Sequence, residues 1–135
     1  MKRSRRAIAV VTIAAVLGVV GAGAANASYF SWYMSRVLVG FNSRTYATPT
    51  QGGHAIESDT CSWTYPAPGS KYRLQLTQET PWYEPDRNAG QSDYPCPGGY
   101  SYHSFGTQPG GSYHFTVVAA DNTYGLDATG YTYYP

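Results

Sequence analysis

Alternation of apolar and polar residues dominates the clearest segments of the chain. In Lys71–Thr77, Tyr72, Leu74 and Leu76 fall on one face, and Lys71, Arg73, Gln75 and Thr77 on the other. That period of two marks a half-buried strand. Ser112–Ala119 repeats it, with Tyr113, Phe115, Val117 and Ala119 on one side and Ser112, His114 and Thr116 on the other. Thr129–Tyr134 reads as a closing strand rich in strand-forming Thr and Tyr, and Gly99–Phe105 as a further candidate. Turn signals separate these runs: Thr48-Pro49 with Gly52-Gly53, Pro66-Ala67-Pro68-Gly69, Pro95 with Pro97-Gly98, and Pro109-Gly110-Gly111. Thr80–Ser92 holds two prolines and Asp86-Arg87-Asn88, and reads as a long loop. There is no internal repeat. Short strands punctuated in this way predict an all-β fold, a small immunoglobulin-like antiparallel β-sandwich.

The stretch Ser28–Phe41, SYFSWYMSRVLVGF, fits two patterns. At helical spacing, Phe30, Tyr33, Met34, Val37, Leu38 and Phe41 form a stripe that Ser28 could cap. As a strand, Phe30, Trp32, Met34 and Leu38 share a face that Arg36 interrupts. The residue types favour the strand, and the helix leaves Trp32 and Val39 outside its stripe. Val37–Phe41 is expected to begin the sandwich. Tyr29–Met34 has no evident pairing partner in the sequence, so either it contacts another molecule or it packs as a first strand on its own domain.

Residues 1–27 read as a cleaved secretory signal peptide, and residues 28–135 as a single domain. Lys2, Arg3, Arg5 and Arg6 form a basic start, Ala7–Val20 is an apolar run of fourteen residues, and Ala25-Asn26-Ala27 places small residues at a cleavage site. The run falls short of the roughly 20 residues that span a bilayer, so no stable membrane insertion is expected after processing. Ser4-Arg5-Arg6 partly matches a twin-arginine signal, but the strongly apolar run favours the general export route. Without the leader the chain keeps five Lys and Arg against eight acids, a net charge of −3. That balance lacks the basic footprint of a nucleic-acid or anionic-lipid binder.

All fourteen Tyr, three Trp and four Phe follow the leader, where aliphatic residues are scarce. The core must therefore be largely aromatic, with many Tyr rings half-buried and their hydroxyls wet. Cys61 and Cys96 are the only cysteines. In an exported chain they are expected to form a disulfide, and their spacing suits neither a metal pair nor a reactive thiol.

No catalytic, cofactor-binding or metal-binding constellation stands out, and the chain is not expected to be an enzyme. His54, His103 and His114 lack ligand partners at metal spacing, apart from Glu57 three residues after His54, and read as solvated surface residues. The nucleophile motif GxSxG is absent, and no glycine loop cradles phosphate. Glu79, Glu84, Asp86 and Asp93 could supply paired carboxylates for sugar cleavage, but a chain of this length leaves little room for a cleft. Trp82-Tyr83, flanked by Pro81 and Pro85, suits anchoring in a protein or stacking on a sugar; alternatively, one or both rings cover the small core.

The segment Gly40-Phe41-Asn42-Ser43-Arg44-Thr45-Tyr46, followed by Cys61-Ser62, then Tyr72–Leu76, Cys96 and Gly111–Val117, resembles a pattern in small secreted actinobacterial single-disulfide proteins. Some of these are similar to the small linking subunit of secreted umbrella toxin particles, which joins a large toxin chain to a lectin-like subunit. The chain departs from that pattern at Tyr46-Ala47-Thr48, where the family often has Trp-Thr-Asp. The resemblance implies a β-sandwich that acts as an adaptor for a secreted protein partner. The residues expected to bind it are Tyr29, Phe30, Trp32, Tyr33, Met34, Trp82 and Tyr83. Two further readings are an enzyme inhibitor presenting Ser62–Gly69 or Thr80–Pro85, and a glycan-binding module stacking sugars on Trp82, Tyr83 and exposed tyrosines.

Overall fold

The computed structural model describes residues 28–135; the expected leader, residues 1–27, lies outside the described residues. Eight strands form: β1 Ser28–Val37, β2 Tyr46–Thr48, β3 Gly52–Trp63, β4 Lys71–Glu79, β5 Arg87–Pro95, β6 Ser101–Gln108, β7 Gly111–Ala120 and β8 Leu126–Tyr134. They make two four-stranded sheets in the orders β1-β8-β3-β6 and β2-β7-β4-β5, and every pairing is antiparallel. The expected all-β sandwich with one disulfide is present. Its strand order is that of a jelly roll, in which the chain crosses repeatedly between the layers. Only β4 and β5 are both consecutive and hydrogen-bonded to each other; every other ladder joins segments distant in the sequence. Among the described residues no helix is long and apolar enough to cross a membrane.

The alternating segments supply the core as their periodicity requires. Tyr72, Leu74 and Leu76 of β4 and Tyr113, Phe115 and Val117 of β7 face Phe30, Met34, Ile56, Phe105, Leu126 and Ala128 of the other sheet, and all are buried. Ala119 lies exposed, against expectation. The register against β4 shifts between Arg73 and Leu74, whose partners are Ala119 and Val117, and this irregularity ends the inward alternation. Half-buried tyrosines are present as expected at Tyr131, Tyr133 and Tyr134, but four others depart from that expectation. Tyr46, Tyr72, Tyr94 and Tyr113 are fully buried, and each hydroxyl has found a partner. Tyr72 donates to Ser58 Oγ at 2.8 Å, Tyr94 to the Ile56 carbonyl at 3.0 Å, and Tyr113 to the Pro109 carbonyl, while Tyr46 pairs with His54 Nδ1 at 2.9 Å.

Two strands depart from the sequence expectation. Gly52-Gly53 opens β3 rather than closing a turn. His54, Ala55 and Ile56 are buried in succession, because His54 and Ile56 face the core while Ala55, on the outer face, lies between Tyr133 and Ser104 of the neighbouring strands. The Thr80–Ser92 loop is shorter than expected, since β5 begins at Arg87. Edge strand β5 is held by polar cross-strand pairs: Arg73 on Asp93 at 2.7 Å, Arg87 on Gln78 at 2.7 Å and Gln91 on Gln75 at 2.7 Å. Pairing of this kind leaves no apolar signature to read.

Cys61 of β3 and Cys96, just beyond β5, form the expected disulfide, with Cα atoms 5.1 Å apart. It joins the two sheets at one end of the sandwich. Reciprocal backbone bonds between Cys61 and Gly98, each 2.9 Å, flank it. At the same end, Asp121 Oδ2 accepts from the Ser70 and Lys71 amides at 2.8 and 3.0 Å. These bonds hold its carboxyl below the usual carboxylate range.

Candidate binding surfaces

The opening stretch is a strand through Val37. β1 pairs with β8 from Ser28–Tyr134 to Met34–Ala128. Its alternation divides the expected binding residues in two. Phe30 and Met34 are buried in the core and Trp32 is packed against it, so these three serve the domain's own packing. Tyr29 and Tyr33 point outward, and Tyr33 is 80 % exposed. Arg36 takes a left-handed backbone, φ 55°, where the register shifts between Met34 and Val37. Its amide donates to Asp127 Oδ1 at 3.0 Å. The shift turns Val37 inward in place of the expected Leu38, which is 55 % exposed.

β1 is an edge strand, paired on one side only. Residues Ser28–Ser35 contain neither a charge nor a proline, although natural sheet edges are usually guarded by one or the other. The other edges are better guarded. β5 carries Arg87 and Asp93 and ends at Pro95, β2 has three residues, and Gly106 breaks β6 with φ 72°. Beyond β1 the chain crosses to the second sheet, where the Gly40 and Ser43 amides donate to the Val117 and Phe115 carbonyls at 2.7 and 2.8 Å. Between this crossing segment and β1 lies a groove of about 220 Å³ bordered by Phe30, Trp32, Met34, Phe41, Arg44 and Phe115. The Arg44 guanidinium lies 4.1 Å over the Phe30 ring, a favourable cation–π contact. The Trp32 indole lies 5.3 Å from Phe115, and its buried Nε1 has no protein partner.

Trp82 and Tyr83 stand on the β4–β5 turn and do not cover the core. Trp82 is 94 % exposed and meets Tyr83 edge-on at 5.7 Å. The turn beneath them is ordered: Thr80 donates its amide to Asp86 Oδ1 at 3.0 Å and its hydroxyl to the Glu84 carbonyl at 2.9 Å.

Of the histidines, His54 is the one misread as a surface residue. It is buried in β3 against Tyr46 and Tyr113. Burial pushes its pKa down to about 4, because charge is costly away from water. Its Nδ1 shares a hydrogen bond with the Tyr46 hydroxyl, and its buried Nε2 has no protein partner. His114 Nδ1 lies 3.0 Å from Glu79 Oε1, and His103 Nε2 3.0 Å from Ser101 Oγ. Among the described residues, no three His, Cys, Asp or Glu are placed to hold a metal.

Glu57, which the sequence offers only as a neighbour of His54, shares the outer face of the β1 sheet with Tyr102, Tyr131 and Tyr133. The alternation of Thr129–Tyr134 already places Tyr131 and Tyr133 on one side, so half of that cluster was accessible. Glu57 and Tyr102 required knowledge of the β3 and β6 registers. No family model, curated protein or solved structure matches the chain.

Proposed function

We propose that the protein is an exported, non-catalytic protein-binding module that takes up a partner strand along the free edge of β1. The observation carrying this reading is the long edge strand, free of charge from Ser28 to Ser35, standing beside a largely apolar groove. Strand addition there supplies backbone hydrogen bonds, and alternate side chains of the partner enter the groove. The signal-like leader and the single disulfide support export. Strand capture also suits an adaptor within a toxin-type extracellular assembly.

The test is native purification from culture medium followed by crosslinking. A stoichiometric protein companion crosslinked to β1 is expected, and Ser31→Lys, which charges the edge, should release it without lowering the unfolding temperature. A companion that Ser31→Lys leaves bound, or crosslinks confined to other strands, would reject the reading.

The ordered Trp82–Tyr83 turn favours a second reading, inhibition of a secreted enzyme by an inserted indole. A preformed loop lowers the ordering cost of binding. Purified protein should then inhibit at least one secreted protease or glycosidase, and Trp82→Ala should remove that inhibition.

A further inference from the structure

The outer face of the β1 sheet carries a second feature, which extends from β1 across β8 and β3 to β6. Two adjacent rows of residues cross it. One runs Ser31–Tyr131–Glu57–Tyr102 through β1, β8, β3 and β6; the next runs Tyr29–Tyr133–Ala55–Ser104. All the large side chains in these rows are tyrosines except Glu57, and the one aliphatic residue is Ala55. The rings form a continuous cluster. Tyr29 lies 6.1 Å from Tyr131 and 6.2 Å from Tyr133, Tyr131 lies 6.3 Å from Tyr133, and Tyr102 lies 6.1 Å from Tyr133. Tyr29 and Tyr102 are exposed and Tyr131 and Tyr133 half-buried. The rings therefore cover the sheet while still facing solvent.

Acceptors are set among these rings. Glu57 Oε2 accepts from the Tyr133 hydroxyl at 3.0 Å, leaving further lone pairs free. Asp59 lies two residues along the same strand. Burial and the nearby Asp59 raise Glu57 above its usual carboxylate range, so added hydroxyl donors would relieve a crowded negative pair. Thr60 and Thr129 add a pair of hydroxyls 2.7 Å apart. Arg36, at the β1 bulge, is the one Lys or Arg in the four strands of this sheet.

We infer that this face is a binding site for a neutral glycan chain, with Tyr29, Tyr131, Tyr133 and Tyr102 receiving the C–H faces of successive sugar rings and Glu57 and Asp59 accepting from their hydroxyls. The electron-rich face of each tyrosine attracts the weakly positive C–H groups of a pyranose. A sugar also brings the many hydroxyl donors that an acceptor-rich face lacks. The acids and the near absence of cations disfavour phosphorylated or uronic-acid polymers and anionic lipid. A protein interface centre ordinarily offers pockets for aromatic or Arg anchors, whereas this surface is a shallow sheet of hydroxyl-bearing rings. Neighbouring rings are inclined by 29° to 61° and make no single plane. They suit one soluble chain better than the flat face of a crystalline polysaccharide.

The face adjoins the strand-capture edge, since Tyr29 and Ser31 belong to β1, and its test distinguishes the two. Purified protein is titrated with the neutral hexasaccharides cellohexaose, chitohexaose and mannohexaose, followed by calorimetry and tyrosine fluorescence. Saturable binding to at least one is expected. Loss of one stacking ring, in Tyr29→Ala or Tyr102→Ala, should weaken it about tenfold. Glu57→Gln, which keeps an acceptor for Tyr133, should weaken it less than removal of a ring. Trp82→Ala should bind as wild type, and thermal unfolding should confirm that each variant is folded. Failure to bind any of the three sugars would overturn the inference. So would sugar binding that is unchanged in both tyrosine variants. Release of a protein companion by the tyrosine variants, without any sugar binding, would reassign the face to a protein.

Discussion

Trp32 stands directly opposite Gly130 across the β1–β8 ladder, and its indole fills the space that a Cβ at Gly130 would occupy. The Glu57 carbonyl lies in the same space. Because this neighbour is backbone, rotation of a side chain cannot relieve the clash. Gly130→Ala is therefore expected to destabilise the domain by about 3 kcal/mol, at the upper end of overpacking costs. Urea unfolding measures the loss, and a variant as stable as wild type would show that Trp32 can leave this position freely. The relationship also explains why a strand as aromatic as β1 can lie flat on β8: the glycine makes room for the largest side chain on that face.

The disulfide closes a loop of 35 residues and adds a covalent link to layers joined by packing and by the hydrogen bonds of Tyr46, Tyr72 and Tyr94. Restricting the unfolded chain by a loop of that length contributes about 4 kcal/mol, a large part of a small domain's stability. The double substitution Cys61→Ala/Cys96→Ala should lower the unfolding free energy by about that amount in urea. A loss below about 1 kcal/mol would mean that packing at this end of the sandwich suffices without the crosslink.

Trp82 and Tyr83 touch each other but make no aromatic contact with the core. Removing both rings should leave stability within about 0.5 kcal/mol of wild type. Thermal unfolding of Trp82→Ala/Tyr83→Ala checks this, and a larger drop would show that the pair braces the β4–β5 turn. The prediction separates conformational from binding roles, since any loss of enzyme inhibition in this variant could then be assigned to lost contact.

Regular alternation made β4, β7 and β8 legible in the sequence, together with the turns between them. Tyr72, Leu74 and Leu76 announce a buried face without any knowledge of their partners. The sheet order was not legible. β1 pairs with β8 about a hundred residues away, and nothing in Ser28–Met34 identifies Tyr134–Ala128 as its complement. β3 was hidden by its glycine start and by Ala55, which is buried on the outer face between His54 and Ile56 of the core face and so masks the alternation. β5 was hidden because it is a polar edge held by Arg73, Lys71 and Asp93 rather than by apolar residues. At the surfaces, composition pointed to Tyr29, Tyr33, Trp82 and Tyr83, which are exposed. It also pointed to Phe30, Trp32 and Met34, which the period of two sends to the opposite face. Glu57 carries no local signal, and its setting among tyrosines exists only once β8 and β6 flank β3.

His54 makes stability fall in acid through a definite pH window. Its folded pKa lies at about 4, against about 6.5 in the unfolded chain. At pH 7 both states are neutral and the group adds no slope. As pH falls below about 6.5 the unfolded chain binds a proton that the native chain refuses, so the folded state loses ground until pH 4. The full loss is roughly 3 kcal/mol. Carboxylates also titrate in this range, so the comparison is made against His54→Gln, which keeps a polar group near the Tyr46 hydroxyl but does not titrate. The stability difference between wild type and variant should move by roughly 3 kcal/mol in favour of the variant between pH 7 and pH 4. Denaturant curves at several pH values measure it. Parallel stability profiles for the two proteins would show that His54 takes up its proton in the folded state at its ordinary pH, and that the Tyr46–His54 contact admits a charge.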